Sequence, residues 1–149
     1  MKTIVVTKTI KAPIEHVFEA YTDHERLADL PMVISAKVVV PGKTEKNGLG
    51  AVRVVNGGLI TLREEITAFE RPHLMEYRIR DSRPRSEHEL GRVEFVEAPG
   101  GTKVTWTTVF GLRSPLLAVA EPAFALAFRA IFKMTLDQVA KRAIAETAA

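Results

Sequence analysis

The chain has 149 residues, with 21 Lys or Arg against 18 Asp or Glu and a formal net charge of +3, a length that supports one core and predicts a single domain over 1–149. Basic and acidic residues are interleaved along the chain, which argues against nucleic acid as a partner. The chain contains no cysteine, which excludes disulfides, thiolate nucleophiles and Cys-ligated metal sites and favours a cytoplasmic location.

The first 31 residues predict a strand followed by two short helices. Residues 3–10 alternate in polarity and are rich in β-branched side chains, as is typical of a strand. Pro13 suits the start of a helix, and apolar residues recur at helical spacing as far as Tyr21. The segment 22–25, Thr-Asp-His-Glu, has the spacing of a capping box and predicts a second helix that ends before Pro31.

From residue 33 onward, strand patterns alternate with turn residues such as Pro41-Gly42 and Asn56-Gly57-Gly58. Short connections of this kind favour an antiparallel meander. The predicted strands are 33–41, 50–56, 58–67, 73–80, 87–97 and 102–110.

A long helix is predicted at the C-terminal end. Ser114 and Pro115 suit its N-terminus, and Pro122 predicts a kink or a break near its start. The longest apolar stretch, 115–128, is too short to span a bilayer, so no stable membrane insertion is expected. The order of elements indicates an α+β fold, and a curved antiparallel sheet gripping one helix leaves room for an internal cavity.

Four segments of the chain resemble a known superfamily. The segments are TIKAPIEHVFEAYTD, RLADLP, LREEITAFERPHLMEYRI and GGTKVTWTTVF. They are similar to the START-related, birch-pollen-allergen-like superfamily (SRPBCC), and within it to the polyketide cyclase/dehydrase and lipid-transport-like group. The resemblance implies a helix-grip fold, in which a seven-stranded antiparallel sheet wraps the last helix and the two short helices close one end of a ligand cavity.

Strand alternation assigns the side chains that would face such a cavity. Charged residues mark the outward faces, which places Arg53, Arg63 and Arg78 outside. An apolar or aromatic residue on an inward face is either core or cavity wall. The predicted ligand-binding residues are Leu62, Glu64, Met75, Tyr77, Ile79, Val93, Phe95, Trp106, Thr108, Phe128 and Phe132.

Glu64 is the polar residue of greatest interest. It lies between Leu62 and Ile66, which must share a face, so either Glu64 points inward or the strand bulges. A carboxylate in an apolar interior would be a ligand anchor or an acid/base group. Alternatively, Glu64 lies at the rim of the sheet, where it reaches solvent and pairs with an arginine.

The four histidines lack the spacing of a metal site, and neither a metal nor another cofactor is predicted. His24, between Asp23 and Glu25, is expected to be exposed. His88 follows a charged loop at the expected cavity mouth, where it would be either a gate or proton-transfer residue or a solvated loop histidine.

Three functions compete. The first, favoured because inward polar groups are few, is binding, transport or sensing of a small hydrophobic molecule, lipid-like or polycyclic, by a monomer or homodimer. The second is a polyketide cyclase or dehydratase with Glu64 as base and Tyr77 or Trp106 as hydrogen-bond donor. Its aromatase/cyclase relatives carry a cavity arginine, so the outward arginines argue against catalysis. The third is a protein-interaction or membrane-associated module.

Overall fold

The structure, a computed structural model of the chain, describes residues 2–112 and 115–148. The expected series of one strand, two short helices, six strands and a long helix is confirmed. The predicted N-cap at Ser114 lies outside the described residues. The elements are β1 (Lys2–Ile10), α1 (Ile14–Thr22), a 3₁₀ helix (His24–Asp29), β2 (Ser35–Val40), β3 (Val52–Asn56), β4 (Thr61–Glu70), β5 (Leu74–Arg83), β6 (Ser86–Ala98), β7 (Gly101–Leu112), α2 (Pro115–Ala118) and α3 (Glu121–Ala148).

The seven strands form one antiparallel sheet in the order β1-β7-β6-β5-β4-β3-β2. Strands β2 to β7 are a meander, because each pairs with the next along the chain. Strand β1 pairs with β7, from Lys2 opposite Phe110 to Ile10 opposite Thr102. This arrangement is the predicted helix-grip sheet.

Helix α3 packs chiefly against α1, β1 and β7. Its fully buried side chains, such as Leu136 and Val139, follow the helical period. Two arginines fix this side of the helix: Arg142 donates to Ala20 O at 2.9 Å, and Arg129 donates to Val5 O at 3.0 Å. Because α3 is held at one side of the concave sheet, a space remains on the other side.

The starts of the 3₁₀ helix and of α3 can be compared with the sequence-based expectations. The capping-box prediction at 22–25 is wrong, because Asp23 makes no side-chain cap hydrogen bond and the Thr22 hydroxyl donates instead to Phe18 O. Pro122 is the second residue of α3, where the missing N–H is not needed. It therefore marks the start of the helix, after the break that follows α2.

Candidate functional site

A cavity of about 130 Å³ lies between the concave face of the sheet, the 3₁₀ helix and α3. Its half-buried lining includes Ile60 and Leu62 at the start of β4 and Phe124 and Phe128 from α3. Its buried lining includes charged and hydroxyl-bearing side chains. The cavity is therefore mostly apolar, with a few buried polar groups in its wall.

Arg53 and Glu64 form a buried ion pair at the inner end. Arg53 Nε donates to Glu64 Oε1 at 2.9 Å, and each residue is 4% exposed. The two residues are directly opposite each other on β3 and β4, so they share a face of the sheet. The prediction that Arg53 points outward is wrong, because the cross-strand position of Glu64 decides its face.

Glu64 faces inward and also lies at an irregularity of the sheet. The register of β4 with β5 shifts between Arg63 and Glu64. Glu64 thus points inward and the strand is also irregular there. Glu64 does not lie at a solvent-exposed rim of the sheet. Burial lowers the pKa of Arg53, but the charge and hydrogen bond of Glu64, together with the two nearby tyrosines, outweigh that effect and leave the pKa raised.

His24 lies behind Arg53. Arg53 Nη1 is 2.9 Å from His24 Nδ1, and His24 Nε2 is 2.9 Å from Asn47 O. Since the guanidinium can only donate, Nδ1 is the acceptor and Nε2 carries the proton. Burial and the charge of Arg53 lower the pKa of His24 to about 3, so the ring is neutral. The expectation that His24 is exposed is wrong: it is 1% exposed because Arg53 and Asn47 enclose it.

An aromatic group lines the cavity beside the ion pair. Trp106 Nε1 donates to the Tyr77 hydroxyl at 3.0 Å, and the indole stacks on Phe132 with ring centroids 3.8 Å apart. The Arg53 guanidinium lies 5.1 Å from the Tyr77 ring centroid, within cation–π distance. Gly91 lies opposite Tyr77 on β6, and a Cβ there would collide with the phenol ring. The glycine therefore allows Tyr77 to lie flat across the sheet.

Tyr21, on α1, reaches the same cavity. Its ring makes edge contacts with Phe95 and Trp106, at centroid distances of 5.7 and 5.3 Å. Burial raises the pKa of Tyr21 well above its usual value, and the hydroxyl is neutral. Among the residues that the structure describes, this hydroxyl has no hydrogen-bond partner.

His88 closes a gap between two strands. The ladder of β5 with β6 covers only Leu74 to Tyr77, and beyond it Ile79 N–H donates to His88 Nδ1 at 3.1 Å. His88 Nε2 therefore carries the proton and donates to Thr108 Oγ1 at 2.9 Å, which in turn donates to Leu90 O at 3.1 Å. Burial, followed by the charge of Arg78, lowers the pKa of His88 to about 4. The ring is a structural link of the wall and not a solvated loop residue.

Most of the predicted site residues meet at this cavity. Three do not, because α1 covers them: Phe18 and Tyr21 pack on Phe95, and Met75 and Val93 form a fully buried pair beneath. Met75, Val93 and Phe95 thus belong to the packed core. The predicted residues that line the cavity are Leu62, Glu64, Tyr77, Ile79, His88, Trp106, Thr108, Phe128 and Phe132.

Sequence reasoning gave no site role to Tyr21 or Arg53, although both line the cavity. The helical spacing of α1 places Tyr21 on a buried face, and strand alternation wrongly places Arg53 outside. The pairing of Arg53 with Glu64 across β3 and β4 would have identified both charges, since opposite charges on facing strand positions attract.

The described part of the chain contains neither a metal-binding cluster nor a helix suited to cross a membrane. No group of three or more His, Asp or Glu side chains there could hold a metal ion. None of the helices in residues 2–112 and 115–148 combines the length and the apolar character needed to cross a membrane.

Comparisons with solved structures place the fold among known ones. Protein TTHA0849 from Thermus thermophilus superposes with a TM-score of 0.79 at 18% identity, over 98% of this chain and 99% of that one. A START superfamily protein from Mycobacterium smegmatis gives 0.69 at 10% identity, over 98% and 97%. Ara h 8.0201 gives 0.67 at 19% identity, over 93% and 97%. Identities this low show a shared fold alone.

The sequence itself identifies the family. None of the curated proteins compared matches the chain. Residues 1–143 match the model of the family described as polyketide cyclase / dehydrase and lipid transport. The chain therefore belongs to the polyketide cyclase / dehydrase and lipid transport family, within the START-related, birch-pollen-allergen-like superfamily that its sequence resembles.

Proposed function

We propose that the chain binds a small, mainly apolar molecule in the cavity between the sheet and α3. The observation that carries this proposal is the mostly apolar lining of the cavity around the buried Arg53–Glu64 pair. Ligand pockets combine such apolar walls with a few polar groups that fix orientation. The family description, which names lipid transport beside cyclase activity, supports the same class of ligand.

The size of the cavity favours a compact ligand. Its volume of about 130 Å³ is close to that of an engineered apolar cavity of about 150 Å³ that admits benzene. Trp106 and Phe132, which stack on each other, give the cavity an aromatic wall. A one- or two-ring compound would place its ring against this wall and extend into the half-buried outer part.

The test is native mass spectrometry of the freshly purified chain, followed by organic extraction and identification of any adduct. Leu62→Trp fills the outer cavity and should abolish the adduct. Leu126→Trp adds the same side chain to an exposed position of α3, where Leu126 is 70% exposed, and should retain it. An adduct that survives in Leu62→Trp would contradict binding in this cavity.

A cyclase or dehydratase is the second candidate, and the inward position of Arg53 favours it. The absence of a cavity arginine was the sequence-based argument against catalysis. Glu64 Oε2 would accept a proton from an acidic carbon, while Arg53 or Tyr21 would donate to the carbonyl oxygen. Trp106 is unsuited to that role because its N–H is bonded to Tyr77.

The enzyme candidate is tested with a short poly-β-ketone thioester mimic, whose cyclised product is followed by mass spectrometry. Loss of product formation in Glu64→Gln with retained substrate binding would support catalysis. Product formation no faster than in buffer would leave the chain as a binding protein.

A further inference from the structure

Three polar atoms at the inner end of the cavity have no hydrogen-bond partner among the described residues: the Tyr21 hydroxyl, Arg53 Nη2 and Glu64 Oε2. The bonds of Arg53 run through Nε and Nη1, and that of Glu64 through Oε1. Within residues 2–112 and 115–148, the one unpartnered side-chain polar atom that protein encloses completely is Asn47 Oδ1. The three atoms are unpartnered but not completely enclosed, so each retains some accessible surface. All three residues line the cavity.

Each of the three residues is more than nine-tenths buried, at 6% exposed for Tyr21 and 4% for Arg53 and Glu64. Buried polar atoms are normally satisfied, because an unmade hydrogen bond in a low-dielectric interior is costly. Arg53 Nη2 can only donate, Glu64 Oε2 can only accept and the Tyr21 hydroxyl can do either, so a group that both donates and accepts would complete all three.

The charges around this space balance. Arg53 contributes one positive charge and Glu64 one negative charge, and they are bonded to each other. His24 and the two tyrosines behind and beside them are neutral. A ligand group with a net charge would meet one like charge at close range and would lose its hydration without a free counter-ion.

We propose that the inner end of the cavity binds a neutral hydroxyl group, an alcohol or a phenol, carried on the ring system that lies against Trp106 and Phe132. The hydroxyl donates its proton to Glu64 Oε2, and its oxygen accepts from the Tyr21 hydroxyl and Arg53 Nη2. This inference rests on the proposed binding function and specifies its ligand class. A ketone or ether has no proton to donate and would leave Glu64 Oε2 without a hydrogen bond. A carboxylate or an ammonium would add a charge next to two charges that already compensate each other.

The experiment compares four ligands that share one ring system: naphthalene, 2-naphthol, 2-naphthoate and 2-naphthylmethylammonium. Calorimetric titration of the unmodified chain gives the affinities. The indole N–H resonance of Trp106, the one tryptophan of the chain, shows that each probe enters the cavity. We expect 2-naphthol to bind roughly 10-fold more tightly than the other three.

The outcomes separate the two proposals. If naphthalene binds as tightly as 2-naphthol, or if a charged probe binds more tightly, the hydroxyl inference is overturned and the binding function stands. If none of the four probes binds, both are overturned.

Two variants test the residue assignment. Tyr21→Phe removes the unpartnered hydroxyl and keeps the ring contacts, so the affinity for 2-naphthol should fall roughly 3- to 10-fold while that for naphthalene stays constant. Thr22→Val is the matched control, because Thr22 follows Tyr21 on α1 and is buried outside the cavity lining, and its hydroxyl donates to Phe18 O. The ratio of the two affinities should not change in Thr22→Val.

The variant Glu64→Gln provides an independent test of the charge balance, because it should change the preference between a charged and a neutral ligand. It leaves the Arg53 charge uncompensated, so 2-naphthoate should gain affinity at least 10-fold relative to 2-naphthol, a shift on the order of one charge-assisted hydrogen bond. Unchanged selectivity in a folded Glu64→Gln chain would contradict the proposed contact. The series on the unmodified chain and Tyr21→Phe decide the question if this variant does not fold.

Discussion

At the scale of single residues, the Arg53–Glu64 pair dominates the energetics of the interior. Both side chains have lost almost all contact with water, and each depends on the other for compensation. Buried ion pairs of this kind contribute little net stability relative to apolar residues, but a lone member is costly. The pair is therefore better explained by the proposed ligand contact than by a gain in stability.

This view makes a prediction for the pair. Arg53→Met should lower the free energy of unfolding by about 3–5 kcal/mol, because it leaves Glu64 buried without a counter-ion. The double variant Arg53→Met with Glu64→Leu should recover most of that loss. Urea denaturation measures both, and a double variant as unstable as the single one would refute mutual compensation.

His24, which is buried, and His88, which is half-buried, make the stability depend on pH. The pKa values of His24 and His88 in the folded chain, about 3 and about 4, lie below the unfolded value near 6.5. The unfolded chain thus binds more protons between these values, and stability is complete above pH 6.5 and falls as the pH drops through this window.

The expected loss between pH 7.5 and pH 5 is on the order of 2 kcal/mol per histidine. His88→Asn keeps an acceptor for Ile79 N–H and should reduce the slope of the free energy of unfolding against pH by about half. Chemical denaturation at half-unit steps measures it. A slope in His88→Asn equal to that of the parent chain would contradict the assignment of a neutral, structural His88.

At the scale of elements, the β5–β6 hairpin is held by side chains where its ladder stops. Besides His88, Ser82 Oγ accepts from Ser86 N–H at 3.1 Å and lies 2.9 Å from Ser86 Oγ. Ser82 Oγ also donates to Pro84 O at 3.0 Å. One buried hydroxyl thus joins the two strands beside the cavity.

Ser82→Ala should therefore open this hairpin locally. We expect a loss of about 1–3 kcal/mol, since the Ser86 N–H loses its acceptor. Hydrogen exchange should become faster at Ser86 and Ile79 and stay unchanged in the β1–β7 ladder. Uniform acceleration throughout the sheet would instead indicate global destabilisation.

The elements differ in how far local sequence determines them. The buried face of α3 follows from one helical period, and the inward direction of Glu64 follows from its place between Leu62 and Ile66. The orientation of Arg53 depends on its partner on another strand, since the run Val52-Arg53-Val54-Val55 has no clear alternation.

Long-range contacts explain the remaining differences. His24 is enclosed by groups 23 and 29 residues away, which no local pattern reveals. Alternation correctly turned Met75, Val93 and Phe95 inward, but it cannot tell where along a strand the cavity ends and the core begins. That boundary depends on α1, whose Phe18 and Tyr21 cover this part of the sheet.

At the scale of the whole molecule, the one-sided attachment of α3 has a mechanical consequence. The space of 130 Å³ that it leaves amounts to about 80 mL/mol, which is large against the roughly 20–100 mL/mol by which protein volumes shrink on unfolding. The chain should therefore be unusually sensitive to hydrostatic pressure. Leu62→Trp, which occupies part of the space, should raise the midpoint of pressure unfolding followed by the NMR resonance of the Trp106 indole N–H, whereas Leu126→Trp should not. Pressure would thus report the volume that packing leaves beside α3, independently of any knowledge of the ligand.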